Sequence, residues 1–265
     1  MFLLVHSAKL VNSDYICTMK SGLFYFKKFS VSHSQSSMKV GVDGVLIGAW
    51  AGRDGVRMLD VGTGCGLIAL MLAQRFPSAG IDAIDIDSAS VAEAKENIER
   101  SPWGDRVCVM QSPFSSLYEE CSECYDLIVS NPPYFDSGVN DFSSARNIAR
   151  HKGSLSPETL LACSSHMLRD KGRLSMIFPS EYFSKLRLMA PLCGMSLDRA
   201  TYVKDGYGSV AKRVMAEFIK KESESSCADA DMTMTDEVPT LVMFEDDRQP
   251  TDEYRRLCGD FYLKF

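Results

Sequence analysis

Two short stretches of this chain carry residue types that could do chemistry together. One is Asp60-Val61-Gly62-Thr63-Gly64-Cys65-Gly66. Its glycines permit positive φ, and Gly62 and Gly64 let the backbone approach a ligand closely. Asp60 puts a carboxylate just before the turn, where a cationic ligand would sit. Asp85 ends the next apolar run and is placed to accept hydrogen bonds from ribose hydroxyls. Leu67 stands where the dinucleotide fingerprint needs its third glycine. A pyrophosphate favours a helix N-terminus without negative neighbours, whereas Asp60 suits the ammonium of an amino acid. The pair therefore points to S-adenosylmethionine rather than NAD. A plain glycine turn with capping carboxylates is the competing explanation.

The other stretch is Asn131-Pro132-Pro133-Tyr134. An amine conjugated to a ring or carbonyl is a poor nucleophile, because its lone pair is delocalised. The Asn131 side-chain oxygen and the Pro132 carbonyl can each accept one N–H bond from such an amine, orienting it and enriching its lone pair. Proline fixes its own φ, so the Pro132 carbonyl is preset. Tyr134 offers a π face on which a base could stack, a contact of about 1–3 kcal/mol. Transfer to such an amine is mostly a matter of positioning.

Alternating elements must hold these stretches. Val56–Val61, Ile81–Ile86, Arg106–Met110 and Tyr125–Val129 read as strands. Leu67–Phe76 and Ser88–Arg100 read as helices, the second with Val91 and Ala92 inward and Glu93 and Lys95 outward. Ser88 reads as the N-cap of that helix, and Asp87 could also cap it. Continuously apolar strands alternating with helices predict a parallel sheet covered on both faces. Beyond a long loop, the pattern predicts a helix over Pro157–Leu168 and strands over Gly172–Phe178, Ser196–Lys204 and Arg213–Lys220. Tyr182–Leu192 between them reads as a helix. The expected fold is α/β and Rossmann-like, a seven-stranded, mostly parallel sheet.

The 265 residues are 45% hydrophobic and 24% charged, as in a folded water-soluble protein. No 18-residue apolar run exists, so no membrane partner is expected. Nine scattered cysteines argue against a secreted disulfide framework. The lone Cys121-x-x-Cys124 lacks the partners of a zinc site. Reduced thiols, a cytoplasmic location, no metal and a monomer are the expectations. Residues 1–23 read as an N-terminal extension, with Met19 opening the more coherent sequence. Residues 24–265 read as one domain.

The order of these parts resembles the class I methyltransferases that modify exocyclic amines. Further segments resemble the bacterial tRNA (adenine-N6)-methyltransferase family acting on valine-accepting tRNA. They are Phe29-Ser-Val31, Met38-Lys-Val-Gly41, Asp43-Gly-Val-Leu46, Gly48-Ala-Trp50, Leu70–Arg75, Glu96-Asn97-Ile98 with Ser101-Pro-Trp103, and Phe261-Tyr-Leu263. The resemblance implies that Lys39, Val40, Gly41 and Asp43 close over the cofactor. It also implies that Asp60, Gly62, Gly64 and Asp85 hold its methionine and ribose ends, and that Asn131, Pro132 and Tyr134 hold the adenine. The implied substrate is the adenosine immediately 3′ of the anticodon, tRNA position 37. Met38–Trp50 would also be a helix packed on the sheet, with Lys39 and Asp43 able to pair across one turn. Pro113 replaces the family's acidic residue, leaving Ser112, Phe114 or backbone to meet the cofactor's adenine. An rRNA guanine-N2 or protein-glutamine methyltransferase, an NAD-dependent oxidoreductase and a non-catalytic RNA-binding module are the competing functions.

A net charge of −6 argues against a nucleic-acid partner only at first sight. Residues 222–253 hold eleven Asp and Glu against one Arg, so the rest of the chain is mildly basic. Lys27, Lys28 and Lys39 flank Phe24, Tyr25, Phe26 and Phe29, an interleaving that suits RNA. Arg146, Arg150, His151 and Lys152 follow the Asn-Pro-Pro-Tyr loop. Removing the acidic loop 222–237 should tighten RNA binding or leave it unchanged in a filter-binding titration, and the affinity should fall with added salt.

Overall fold

The computed structural model describes residues 22–36, 39–133, 155–221 and 238–265. Its ten strands are β1 (Leu23–Tyr25), β2 (Ser30–Ser32), β3 (Arg57–Val61), β4 (Gly80–Asp85), β5 (Val107–Gln111), β6 (Tyr125–Ser130), β7 (Leu168–Pro179), β8 (Met195–Gly206), β9 (Arg213–Lys220) and β10 (Thr240–Phe244). Its helices are α1 (Val42–Trp50), α2 (Leu67–Arg75), α3 (Ser88–Glu99), α4 (Phe114–Glu120), α5 (Pro157–Met167), α6 (Phe183–Met189) and α7 (Asp252–Cys258).

The main sheet runs β10-β8-β9-β7-β6-β3-β4-β5. It has eight strands, where the sequence predicts seven. The added strand, β10, lies parallel to β8 and buries Leu241 and Met243 at alternate positions. Its short period-2 pattern sits next to a run of acidic residues, which hides it in the sequence. Only β9 is antiparallel to its neighbours in this sheet. On β6, Leu127 and Val129 enter one apolar core and Ile128 the other, as alternation along a strand requires. Helices α1, α2, α3 and α7 cover one face, and α4, α5 and α6 the other.

Helix α1 lies against α2 at close range. A Cβ on Gly48 would stand 2.7 Å from the Met71 sulfur, and one on Gly44 3.1 Å from Leu67 Cδ2. Both contacts advance by four residues in the same direction, so the two helices run parallel. Arg75, at the end of α2, donates to Gly48 O and Ala51 O at the end of α1.

Phe24, Phe26 and Phe29 are buried, and the Phe26 ring stacks 4.6 Å from that of Phe29. Trp103 and Tyr262 complete this cluster, and Lys27 donates to Gly259 O. These aromatics are therefore core rather than a stacking platform for RNA; Tyr25 alone among them is exposed. Cys121 and Cys124 are joined in a disulfide, not reduced as expected, while Cys65, Cys108, Cys163, Cys193 and Cys258 are free thiols. Among the described residues, no helix is long and apolar enough to cross a membrane.

Asp87, rather than Ser88, caps α3, accepting from Ser90 N at 3.0 Å, and Ser88 is the first helical residue. The inward face of α3 differs from the sequence reading: Ala92 is exposed and Glu93 is buried. Glu93 is buried because its carboxylate receives a turn of backbone. Oε1 accepts from Ser34 N at 2.7 Å and from the Ser32 hydroxyl at 2.9 Å, and Oε2 from Ser36 N at 2.7 Å. Burial alone would raise its pKa, but the N–H groups of Ser36 and Gln35 and the Ser32 hydroxyl hold it at about 2. Because the folded value lies below the ordinary 4.5, this carboxylate stabilises the fold fully above pH 4.5. The contribution is lost as pH falls towards 2. Glu93→Gln should cost about 2–3 kcal/mol near neutrality. Urea unfolding from pH 7 to pH 3 should show a shallower acid decline for the variant than for the wild type.

Candidate active site

Parallel pairing brings the carboxyl ends of β6, β3, β4 and β5 to one level. Ser130 is the register partner of Val61, Val61 of Ile84, and Asp85 of Gln111. Asn131 and Gly62 are thus the residues that follow directly on the paired Ser130 and Val61, with the Ser130 hydroxyl donating to Val61 O at 2.8 Å. Strands β6 and β4 extend the sheet to opposite sides of β3, which is where open α/β sheets carry their ligand crevice.

The glycine loop is built as its sequence predicts. Gly62, Gly64 and Gly66 have φ of +71°, +54° and +83°, values that side-chain-bearing residues adopt at a cost. The N–H groups of Gly62 and Thr63 both donate to Ile84 O at 2.9 Å. A Cβ on Gly62 would also stand 3.2 Å from Leu155 Cδ2.

Asp60 is fully buried beneath this loop. Its Oδ2 accepts from the Thr63 hydroxyl at 2.6 Å and from Ala69 N at 3.0 Å. Its Oδ1 is buried with no hydrogen-bond partner among the described residues. Burial raises the Asp60 pKa to about 7, against the lowering effect of Thr63 and Ala69. One oxygen latches the loop and the other is an acceptor awaiting a donor, which fits the ammonium proposed from the sequence. Asp85 plays two parts as well. Its Oδ2 accepts from Gly64 N at 2.9 Å and its Oδ1 from Asp87 N at 3.0 Å. Each carboxylate oxygen retains a second lone pair for a ligand hydroxyl.

Ser112 follows β5, with its N–H on Asp85 O at 3.0 Å, and Pro113 is the N-cap of α4. Pro132 is buried. Tyr134, Arg146, Arg150, His151 and Lys152 lie outside the described residues. Helix α1 begins only at Val42, with Gly41 as its N-cap, so Lys39 precedes the helix rather than facing Asp43 across a turn. Asp43 instead pairs with Arg213, which also holds Asp205 at 3.0 Å. Val40 donates its N–H to the His33 ring.

Three further residues adjoin these segments. Ile86 is 64% exposed beside Asp85, an apolar surface at the mouth of the crevice. An apolar residue directly after the strand-ending acid was its signal. Leu155 and His33 carried no local signal, because their partners Gly62 and Val40 meet them through the fold. Among the described residues, no group of three or more His, Cys, Asp or Glu could hold a metal ion.

Residues 41–188 match the family described as the methyltransferase small domain. The chain is 39% identical over 250 residues to a protein of Trichodesmium erythraeum (strain IMS101) named tRNA1(Val) (adenine(37)-N6)-methyltransferase, covering 93% of this chain and 100% of that one. A protein of the same name from Bacteroides thetaiotaomicron is 38% identical over 247 residues, covering 92% and 99%. Among solved structures, a predicted O-methyltransferase from Agrobacterium tumefaciens superposes with a TM-score of 0.59 at 16% identity, covering 83% of this chain and 96% of that one; this similarity concerns the fold alone.

A cationic ligand seated above Asp60 should lower its pKa and expel part of a proton near pH 7. Titration calorimetry with S-adenosylmethionine in two buffers of different ionisation enthalpy should therefore give different heats. Asp60→Asn should abolish that difference.

Proposed function

Because the chain belongs to the methyltransferase small-domain family and, within it, to the tRNA1(Val) (adenine(37)-N6)-methyltransferases, we propose that it methylates N6 of adenosine 37 in a valine-accepting tRNA. The observation that carries this reading is the register of β6 on β3, which pairs Ser130 with Val61, the residues just before Asn131 and Gly62. An amine acceptor and a cofactor loop then share one crevice.

S-adenosylmethionine is the cofactor. When bound, it supplies a methyl carbon on a sulfonium, and the carbon–sulfur electron pair leaves with the neutral thioether. The orphaned Asp60 Oδ1, the glycine cradle and the Asp85 carboxylate suit its ammonium, backbone and ribose respectively. Ile86 offers an apolar face to its adenine, and Ser112 the polar edge that Pro113 cannot supply. Lys39, Val40 and Gly41 border the crevice, and Asp43 acts through Arg213 by fixing the start of α1.

The substrate amine is held by two acceptors, Asn131 Oδ1 and the Pro132 carbonyl. Each takes one N6–H and pushes electron density towards the nitrogen, which forms the new N–C bond with its own lone pair. Once alkylated, the nitrogen is acidic enough to release its proton to water, so no strong base is needed. Tyr134 stacks on the target base. The base must first leave the anticodon-loop stack to reach the crevice. The reading implies a monomer working in the cytoplasm.

Tritiated S-adenosylmethionine with tRNA lacking the mark should give N6-methyladenosine on nucleoside analysis; another methylated nucleoside would refute the substrate. Asn131→Ala should lower the transfer rate about 10²–10³-fold while tRNA binding stays within about twofold.

A further inference from the structure

We propose that His33 is a positioning residue for the cofactor crevice: by accepting the Val40 N–H at Nδ1 it sets the Lys39–Gly41 segment against the crevice rim. This rests on the reading of that crevice as the S-adenosylmethionine site.

Helix α1 runs parallel to α2, with Gly44 against Leu67. The start of α1 therefore lies at the glycine-loop end of α2, and the residues just before it border the crevice. The residues on both sides of His33 are fixed by α3. Glu93 holds the backbone of Ser34, Gln35 and Ser36. Four residues along the same helix, Asn97 accepts from Ser32 N and donates to Ser32 O and to Cys65 O, each at 2.8 Å. Helix α3 thus ties β2 and the following turn to the glycine loop itself. His33 sits at the centre of this arrangement, 2% exposed, its own N–H on Gly22 O at 3.1 Å. The Val40 N–H reaches its Nδ1 at 2.9 Å. The bond carries the fixed geometry of the turn across to the residues at the rim.

An imidazole can accept at Nδ1 only while it is neutral. Burial is the main influence lowering its pKa below 6.5; Lys39 lowers it further and Glu93 opposes them. These are the charged groups acting on the ring, and the net effect keeps it neutral at pH 7. Acidification below 6.5 through the lowered folded value converts the acceptor to a donor, and the bond to Val40 is lost.

His33→Leu keeps the apolar bulk and removes the acceptor, whereas the Asn oxygen of His33→Asn can replace Nδ1. His33→Leu should weaken S-adenosylmethionine binding about tenfold, the scale of one lost hydrogen bond to a part-buried N–H. It should raise KM for the cofactor with kcat within about twofold. His33→Asn should restore most of the affinity. Wild-type affinity should also fall more steeply than that of His33→Asn below pH 6.5; Asp60 titrates in both proteins and cancels in the comparison. If His33→Leu does not fold, the contrast between wild type and His33→Asn across that pH range decides alone. Equal affinity in wild type and His33→Leu, equal loss in both variants, or identical pH profiles for wild type and His33→Asn would overturn the positioning role. Wild-type protein that binds no S-adenosylmethionine would instead overturn the reading of the crevice, and this inference with it.

Discussion

The site depends on one constraint, the parallel register of β3 between β6 and β4. Parallel strands with matched ends deliver their following loops to one level. The pairings of Val61 with Ser130 and Ile84 therefore decide what can touch what. A one-residue slip of β6 would turn each of its side chains to the opposite face and move Asn131 away from Gly62. The register is defended by the apolar alternation of β6 between the two cores and by the Ser130 hydroxyl on Val61 O.

Around that line of strand ends, buried polar groups do the holding. Asp60 and Asp85 each bind the glycine loop with one oxygen. Glu93 and Asn97 bind the N-terminal turn, and Asn97 reaches the loop as well. Asp60, Glu93 and Asn97 are buried and Asp85 half-buried, and each holds a partner in the loop or the turn, which fixes their geometry; only Asp60 Oδ1 is left without one among the described residues. The loop is thus preset before any ligand arrives, so little ordering entropy remains to oppose binding.

Much of this was legible in the sequence. The glycine loop, Asp85 and the Asn-Pro-Pro run lie where strand-ending patterns placed them, because a parallel sheet converts sequence order into spatial order. What was not legible depended on partners distant in the chain. Glu93 reads as an outward charge on an amphipathic helix until the N–H groups of residues 34–36 are seen to surround it. Phe24, Phe26 and Phe29 read as a stacking surface until Tyr262 and Trp103 are seen to cover them. Asp43 reads as a partner for Lys39 because both are near in sequence, but Arg213 arrives from β9. Strand β10 escaped because five residues of period-2 alternation are a weak signal beside an acidic run.

Strand β10 gives the acidity that follows it a structural meaning. An edge strand exposes a row of unpaired N–H and C=O groups to any passing strand. Here the edge is only five residues long, and Glu245, Asp246 and Asp247 follow it directly. The chain then folds back at Pro250, which bridges to Phe244 and has no N–H to offer. A second sheet extending this one would have to confront three carboxylates and a missing donor. Carboxylates at this end of the sheet serve as a barrier to its growth, keeping an eight-stranded sheet from becoming a template for aggregation.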